Sequence, residues 1–201
     1  MTFTKALRFF VPVLVLGTAA QASTVFNFDN DNVGTSTTFT NTEQGLSATF
    51  SSSADPGGFV VYPTIFETLT GNVLGDPGPA GMDGLDLDVS FSQNLSGITL
   101  DFATDDFATP TPLTVTAYEG KTLVGSDTSS GEYLPGYEFP EGEIAFEGGT
   151  FNDVVLSAGA TDFVVDNITV LNAAPAPEPG TFLLLGTVLM GLGAMRKTSR
   201  S

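Results

Sequence analysis

The chain has 201 residues, with 23 acidic and 6 basic side chains and a formal net charge of -17 at pH 7. It contains no Cys and no His, which excludes disulfide frameworks, thiol chemistry, His-based triads and the usual zinc sites. Between Ser23 and Pro177 lie 22 of the acidic residues and one basic residue, Lys121, so this region has a net charge of -21. Such a charge excludes nucleic acid as a partner. It fits either a solvated acidic surface or a cation-binding one.

Residues 1–22 are predicted to be a secretory signal peptide. Lys5 and Arg8 form its positive start, residues 9–20 its apolar stretch, and Ala20-Gln21-Ala22 an A-x-A cleavage site. The apolar stretch is too short to span a membrane. We therefore expect the mature protein to begin at Ser23.

Residues 23–172 are predicted to form an all-β domain, an antiparallel β-sandwich of the jelly-roll type. Runs rich in Val, Ile, Thr, Phe and Tyr recur between Gly- and Pro-rich turns, and none has a convincing helical period. Over residues 85–91 the apolar side chains are all odd-numbered, so one strand face is buried while the other meets water. The predicted strands are 24–28, 37–40, 46–50, 59–62, 85–91, 98–102, 113–118, 122–125, 143–146, 153–156 and 163–171.

Two long turn-rich stretches, 70–84 and 126–142, interrupt the predicted strands. Long ordered loops on a β scaffold often carry function. The second stretch places Tyr133, Tyr137 and Phe139 among glycines, prolines and carboxylates. Sugar sites use aromatic faces against apolar ring faces and carboxylates against hydroxyls, so Tyr133 and Tyr137 are candidate ligand-binding residues. The alternative is that these aromatic side chains cover one end of the core.

The C-terminal region combines a Pro-rich linker (173–180), an apolar segment (181–195) and a basic tail (196–201). A helix of 15 residues spans roughly 22 Å, less than the hydrocarbon core of about 30 Å, so the predicted transmembrane helix is a short anchor. Its basic end is expected to stay cytoplasmic. The residues that define the arrangement are Pro177, Glu178, Pro179, Gly180, Arg196 and Lys197.

This order of linker, apolar segment and basic tail closely resembles the PEP-CTERM sorting signal of Gram-negative bacteria. The resemblance implies that the tail holds the protein in the inner membrane until an exosortase-type transpeptidase removes it. The partners it implies are that processing enzyme and, transiently, the inner membrane. The destination is then the cell surface or the extracellular space. The alternative is an unprocessed C-terminal anchor.

A second resemblance lies at the end of the domain. Residues 163–170, FVVDNITV, are similar to the last strand of many PEP-CTERM ectodomains and, more loosely, of carbohydrate-binding jelly rolls. Their expected partner is the opening run Phe26-Asn27-Phe28-Asp29. In such domains a structural calcium often joins the first and last strands, and calcium takes about 6–8 oxygen ligands. The resemblance thus implies calcium on Asp166 with Asp29 or Asp31; a polar turn at Asp166-Asn167 is the alternative.

The sequence thus predicts an exported, non-catalytic surface or matrix protein that binds exopolysaccharide or another glycan. A purely structural surface or biofilm protein without a specific ligand is the second hypothesis. A polysaccharide hydrolase or lyase using two carboxylates is the third. With so many acidic residues some carboxylate pair is inevitable, so a pair alone does not favour an enzyme.

Overall fold

The computed structural model describes residues 22–76, 84–105, 109–159 and 161–173, and every regular element within them is a β-strand. The predicted sorting residues and nearly all of the signal peptide lie outside these ranges. In the described part of the chain, no helix has the length and hydropathy needed to cross a membrane. The strands are β1 (Ser23–Phe26), β2 (Phe39–Glu43), β3 (Leu46–Ser51), β4 (Val60–Pro63), β5 (Asn72–Gly75), β6 (Leu87–Thr104), β7 (Leu113–Glu119), β8 (Thr122–Ser129), β9 (Glu132–Tyr133), β10 (Pro140–Ser157) and β11 (Phe163–Asn172).

The strands form two layers, and every pairing among them is antiparallel, which confirms the predicted fold class. The first layer has the order β2, β3, start of β6, end of β10, β7, β8. The second has the order β4, β5, β11, end of β6, start of β10, β9. β1 lies beside β11 beyond β5, with Phe26 opposite Ile168, so the first strand pairs with the last as expected.

The 18-residue strands β6 and β10 belong to both layers and connect them. Their mutual register shifts between Glu147 and Phe151, where Gly148 and Gly149 have positive φ. In β6 the buried side chains change from odd-numbered (Leu87, Val89, Phe91) to even-numbered (Ile98, Leu100, Phe102) across the same crossing. Strands that pass between layers usually bend at such bulges. This bend is why each long strand was predicted as two short ones.

A phenylalanine-rich core fills the space between the layers. Phe28 packs edge-on against Phe50 with ring centroids 5.4 Å apart, in the geometry that aromatic pairs favour. Phe146 and Phe151 pair in the same way at 5.5 Å on β10. Buried side chains from both layers therefore belong to one main core.

Two predicted loops contain strands. Residues 72–75, within the predicted loop 70–84, form β5 because β4 and β11 supply hydrogen-bond partners on both of its sides. The predicted loop 126–142 begins with the end of β8, contains β9 and ends in β10. A strand of four residues that ends in a glycine carries too little periodicity to be indicated by the sequence, so this pairing was decided by tertiary contacts.

Candidate functional site

A loop of eight residues, 64–71, folds over the outer face of the second layer; we call it the cover loop. It joins β4 to β5 and closes on itself, since the Thr64 amide donates to the Gly71 carbonyl at 2.8 Å. The Thr64 hydroxyl donates to the Leu69 carbonyl at 3.0 Å. The cover loop is therefore a compact unit with its own hydrogen bonds rather than an extended connection.

Two carboxylates accept hydrogen bonds from backbone amides of the cover loop, and a third accepts from the amide of the residue just past it. Glu141, at the start of β10, accepts hydrogen bonds from the amides of Glu67 at 2.8 Å and Thr68 at 2.7 Å. Asp166 accepts from the amide of Thr70 at 3.2 Å. Each carboxylate stands on a different strand or turn, so the loop is fixed to several parts of the sheet.

The third carboxylate, Asp29, follows β1 and accepts from the amide of Asn72 at 2.9 Å, just past the loop. Gly71 has a φ of +72°, and a Cβ at this position would overlap the Asp29 carboxylate. A glycine is thus required for the chain to pass Asp29 closely enough for the bond to form.

Apolar side chains lie under the cover loop, on a sheet face that would otherwise meet water. Leu69, Val73, Ala103 and Val164 form a small buried cluster, separate from the main core. Ala103 and Val164 are cross-strand partners on β6 and β11. This second cluster explains why the outer face of the layer is covered here, because the loop removes these side chains from water.

A cavity of about 420 Å³ opens beside this cluster. Phe66 of the cover loop and Phe139, just before β10, form one wall, with ring centroids 5.4 Å apart. Ile65 lies at the cavity with 65% of its side chain exposed. The carboxylate-bearing residues that line the same cavity are Asp76, Asp105 and Asp162.

Tyr62 links the apolar and acidic parts of the cavity. Its hydroxyl crosses Gly75 of the neighbouring strand, where a Cβ would lie 2.9 Å from the hydroxyl oxygen. Burial raises the pKa of Tyr62 well above its usual range, and the charges of Asp76, Asp105 and Asp162 raise it further. Tyr62 therefore stays protonated and can donate a hydrogen bond inside a cavity of negative potential.

The predicted ligand-binding tyrosines are not among the residues that line this cavity. Tyr133, on β9, is 42% exposed, and Tyr137 is 37% exposed. The Tyr137 hydroxyl bonds to Glu67 of the cover loop, and that bond, together with the Glu67 charge, raises the pKa of Tyr137. A ligand role for both tyrosines stays a prediction. The predicted aromatic stretch does reach the cavity, through Phe139.

The predicted calcium residues Asp166 and Asp29 accept from the amides of Thr70, at the end of the cover loop, and of Asn72, just past it. Asp166 is fully buried and accepts from its neighbour Asn167 at 2.7 Å as well as from Thr70. Burial raises its pKa to about 6, opposed by these backbone bonds and supported by the charges of Asp29 and Asp101. Asn167 has a φ of 51° at a register shift of β11, so Asp166-Asn167 also marks a bulge. Calcium there stays a prediction; no cluster of three or more acidic residues among those described is arranged to hold a metal ion.

Sequence reasoning did not find Phe66, Asp76, Asp162 or the role of Glu141. Phe66 lies in the loop before the short strand β5 and Asp76 directly after it, and β5 itself was predicted to be part of a loop. Asp162 precedes β11 and resembles any polar residue before a strand. Glu141 falls at the start of β10, where exposure would be expected, and it is only 4% exposed because the cover loop folds over it.

Comparison with known proteins identifies the sorting segment. Residues 175–197 match the PEP-CTERM protein-sorting motif. The chain is thus an exported protein with a C-terminal sorting signal, as the order of linker, apolar segment and basic tail predicts. No curated protein matches the chain.

Solved structures agree with the β-sandwich architecture. The K2 cleaved adhesin domain of Lys-gingipain is similar over 74% of this chain and 99% of that one, at 14% identity and a TM-score of 0.50, which shows a shared fold. TmCBM61 in complex with beta-1,4-galactotriose has 11% identity and a TM-score of 0.38 over 63% of this chain and 88% of that one. A beta-1,3-glucan binding CBM6 from Bacillus halodurans has 20% identity and a TM-score of 0.32 over 58% of this chain and 87% of that one. The last two are too distant to support a conclusion about this chain.

Proposed function

We propose that this protein is a cell-surface or extracellular-matrix module that binds a glycan in the cavity beside the cover loop. The observation that carries the proposal is the composition of that cavity, in which an aromatic wall stands beside carboxylates. Its volume of about 420 Å³ lies in the range typical of ligand sites, which are mostly apolar with a few polar groups. Exopolysaccharide is the partner that an exported matrix protein would meet.

The chemistry of a sugar matches both parts of the cavity. The apolar face of a sugar ring can lie against the Phe66 and Phe139 rings, as large aromatic surfaces favour. Ring hydroxyls can donate to the cavity carboxylates and accept from the protonated Tyr62 hydroxyl. Tyr137, at the edge through its bond to Glu67, would extend this surface for a longer chain.

We propose that the module is non-catalytic. The whole chain has no His and no Cys, so the commonest general base and the thiol nucleophiles are missing. A hydrolase or lyase would have to act through carboxylates alone. Release of reducing ends or of unsaturated sugars from a bound polysaccharide would contradict this part of the proposal.

We test glycan binding with single substitutions in the full chain, measured on immobilised polysaccharides. Phe139→Ala should weaken retention about tenfold, because an aromatic anchor in a binding pocket contributes on the order of 1–2 kcal/mol or more. Tyr118→Ala is the matched control, since Tyr118 lies on β7 in the other layer. Equal losses in both variants, or none in either, would favour a structural protein without a specific ligand.

We also retain the proposal of a structural calcium on Asp166 and Asp29. It is supported by the placement of both carboxylates at one edge of the cover loop, near Asp101. A site filled at about 100 times its dissociation constant should stabilise the fold by roughly 2.7 kcal/mol. Calcium should then raise the melting temperature of the wild type but not of Asp166→Asn. An unchanged wild-type melting temperature in calcium and in chelator would refute it.

For sorting, we propose signal-peptide cleavage after Ala22, transient anchoring by residues 181–195 and processing by an exosortase-type enzyme. The match to the sorting motif over residues 175–197 supports this route. Deletion of residues 175–201 should release the protein into the medium without membrane retention. Retention equal to that of the intact chain would contradict the anchoring role.

A further inference from the structure

The two ends of the folded domain lie side by side. Ser23, at the start of β1, is the cross-strand partner of Leu171, near the end of β11. The amide of Asn172 donates to the carbonyl of Ala22 at 3.2 Å. The chain therefore enters the domain from the predicted signal peptide, and leaves it toward the sorting segment, at the same place.

The exit of the chain is fixed as far as Ala173. Its amide donates to the carbonyl of Asn94 at 3.0 Å, and Leu95 stands opposite Asn172 in the pairing of β6 with β11. We call this part of the domain the tether end; it consists of Ala22, Ser23, Asn94, Leu95, Asn172 and Ala173. The predicted anchor begins eight residues after Ala173, at Thr181. Even fully extended, that interval spans at most about 29 Å, so the tether end stays close to the bilayer.

The cavity lies at the opposite end of the same strands. Phe163, the first residue of β11, and Thr104, the last residue of β6, line the cavity and are cross-strand partners. The other end of this pairing joins Asn172 to Leu95 at the tether end. β11 has 10 residues, and at about 3.3 Å per residue it separates the cavity from the tether end by roughly 30 Å.

The charge of the domain does not favour contact of any other face with a membrane. Between Ser23 and Pro177 the chain has 22 acidic residues and one basic residue, Lys121, in the turn between β7 and β8. Anionic headgroups attract clusters of basic residues and repel acidic surfaces. One lysine does not form such a cluster, so the tether alone brings the domain to the bilayer.

Exposed apolar side chains near the cover loop raise the opposite orientation. Ile65, on the loop, and Tyr137, which bonds to Glu67 of the loop, are 65% and 37% exposed. Glu67 and Glu138 are exposed beside them along the chain. These two carboxylates would have to approach the headgroups together with the apolar side chains, and anionic headgroups repel them. The cover loop therefore does not compete with the tether for the bilayer.

We propose, on the basis of the anchoring and glycan-binding functions above, that the membrane-held protein stands on its tether end and presents the cavity away from the bilayer. Surface sugars then reach the cavity while residues 181–195 still hold the chain. The protein is accordingly a link between membrane and matrix before its tail is removed. Removal of the tail releases it without changing the site.

The orientation is measured by energy transfer from a dye on the protein to acceptor lipids in a bilayer. The chain has no Cys, so Asn94→Cys and Ile65→Cys each provide one labelling position, and both positions are exposed. The full chain is inserted through its tail into liposomes of phosphatidylcholine with phosphatidylglycerol. We expect the dye at position 65 to lie roughly 20–30 Å further from the bilayer than the dye at position 94, as the length of β11 requires.

A flexible Gly-Ser insertion after Ala173 is the control for the tether. It should move both dyes away from the bilayer and reduce the difference between them, because a longer linker lets the domain turn. With the native linker, equal distances for the two dyes, or a shorter distance at position 65, would overturn the proposal. Chains that do not stay with the liposomes would contradict anchoring by residues 181–195, and this proposal with it.

Glycan capture separates this proposal from the glycan-binding function on which it depends. Immobilised exopolysaccharide purified from the producing organism should retain liposomes that carry the full chain, but not liposomes that carry Phe139→Ala. Retention of a chain that lacks residues 175–201, without retention of the liposomes, would overturn presentation of the cavity by the membrane-held form. Retention of neither, with the dye distances as expected, would contradict glycan binding and still support the orientation.

Discussion

Glu141 offers a direct test of how the cover loop is held. Substitution Glu141→Gln keeps the size of the side chain but replaces one carboxylate oxygen with an NH2 donor. In the native protein one oxygen accepts from the Glu67 amide at 2.8 Å. The other accepts from the amide of Thr68 at 2.7 Å and from its hydroxyl at 2.6 Å. In either orientation of the new amide, at least one backbone donor faces another donor.

The expected magnitude follows from these contacts. A hydrogen bond to a charged group contributes about 1.5–3 kcal/mol. Glu141 is 4% exposed, so water cannot replace a lost partner while the loop is closed. Losing one such bond should therefore favour the open loop by about 1.5–3 kcal/mol, or about ten- to a hundredfold in population.

Amide hydrogen exchange measures this opening residue by residue. The amides of Glu67 and Thr68 should exchange about ten- to a hundredfold faster in Glu141→Gln, while the amide of Val89 in the first layer should be unchanged. Glu143→Gln is the control, because Glu143 lies two residues along the same strand and is exposed. Unchanged exchange at Glu67 and Thr68 would refute the role of the carboxylate. Equal acceleration at Val89 would mean global unfolding instead.

Further predictions concern pH and backbone conformation. Because burial raises the pKa of Asp166 from 3.8 to about 6, the folded protein binds this proton more tightly than the unfolded chain does. In chelator, the contribution of Asp166 to stability is therefore fully present below about pH 4 and is lost as pH rises through about 6. It amounts to at most about 3 kcal/mol. The free energy of unfolding, measured by urea denaturation, should fall over this pH range in the wild type but not in Asp166→Asn, with Asp29 and Asp101 present in both. Gly71→Ala should destabilise the protein by more than about 1 kcal/mol, since the new Cβ would sit at a positive φ and would also overlap Asp29. Gly159→Ala, at a φ of +68° in open space, measures the cost of the backbone conformation alone. Equal losses of stability in the two variants would contradict the overlap with Asp29.

Much of the fold was predictable because one face of each strand meets the core. Leu87, Val89 and Phe91 are buried, as the alternation over 85–91 indicates. The pairing of β1 with β11 followed from a resemblance and is observed. The crossing of β6 and β10 between layers was not predictable, because the alternation changes parity at the bulges and reads as the end of one strand and the start of another.

The kinds of side chain at the site were predictable, but most of the residues that line the cavity were not. The sequence indicated aromatic side chains among carboxylates in the stretch 126–142, and one of them, Phe139, lines the cavity. Its neighbours there come from β4, from the cover loop, from the ends of β5 and β6 and from the start of β11. These segments are distant along the chain, and no local pattern connects them.

By itself, the sequence determined the C-terminal sorting signal, the acidic character and the all-β class, because these depend on local composition, segment length and alternation. The sorting motif at residues 175–197 is such a local signal. Only the tertiary structure decided that Glu141, Asp166 and Asp29 accept hydrogen bonds from amides in and just past one loop, and that Phe66 and Phe139 pack together in the wall of one cavity. These contacts join residues up to 96 positions apart. They depend on strand order and register, which arise when the whole core is buried together.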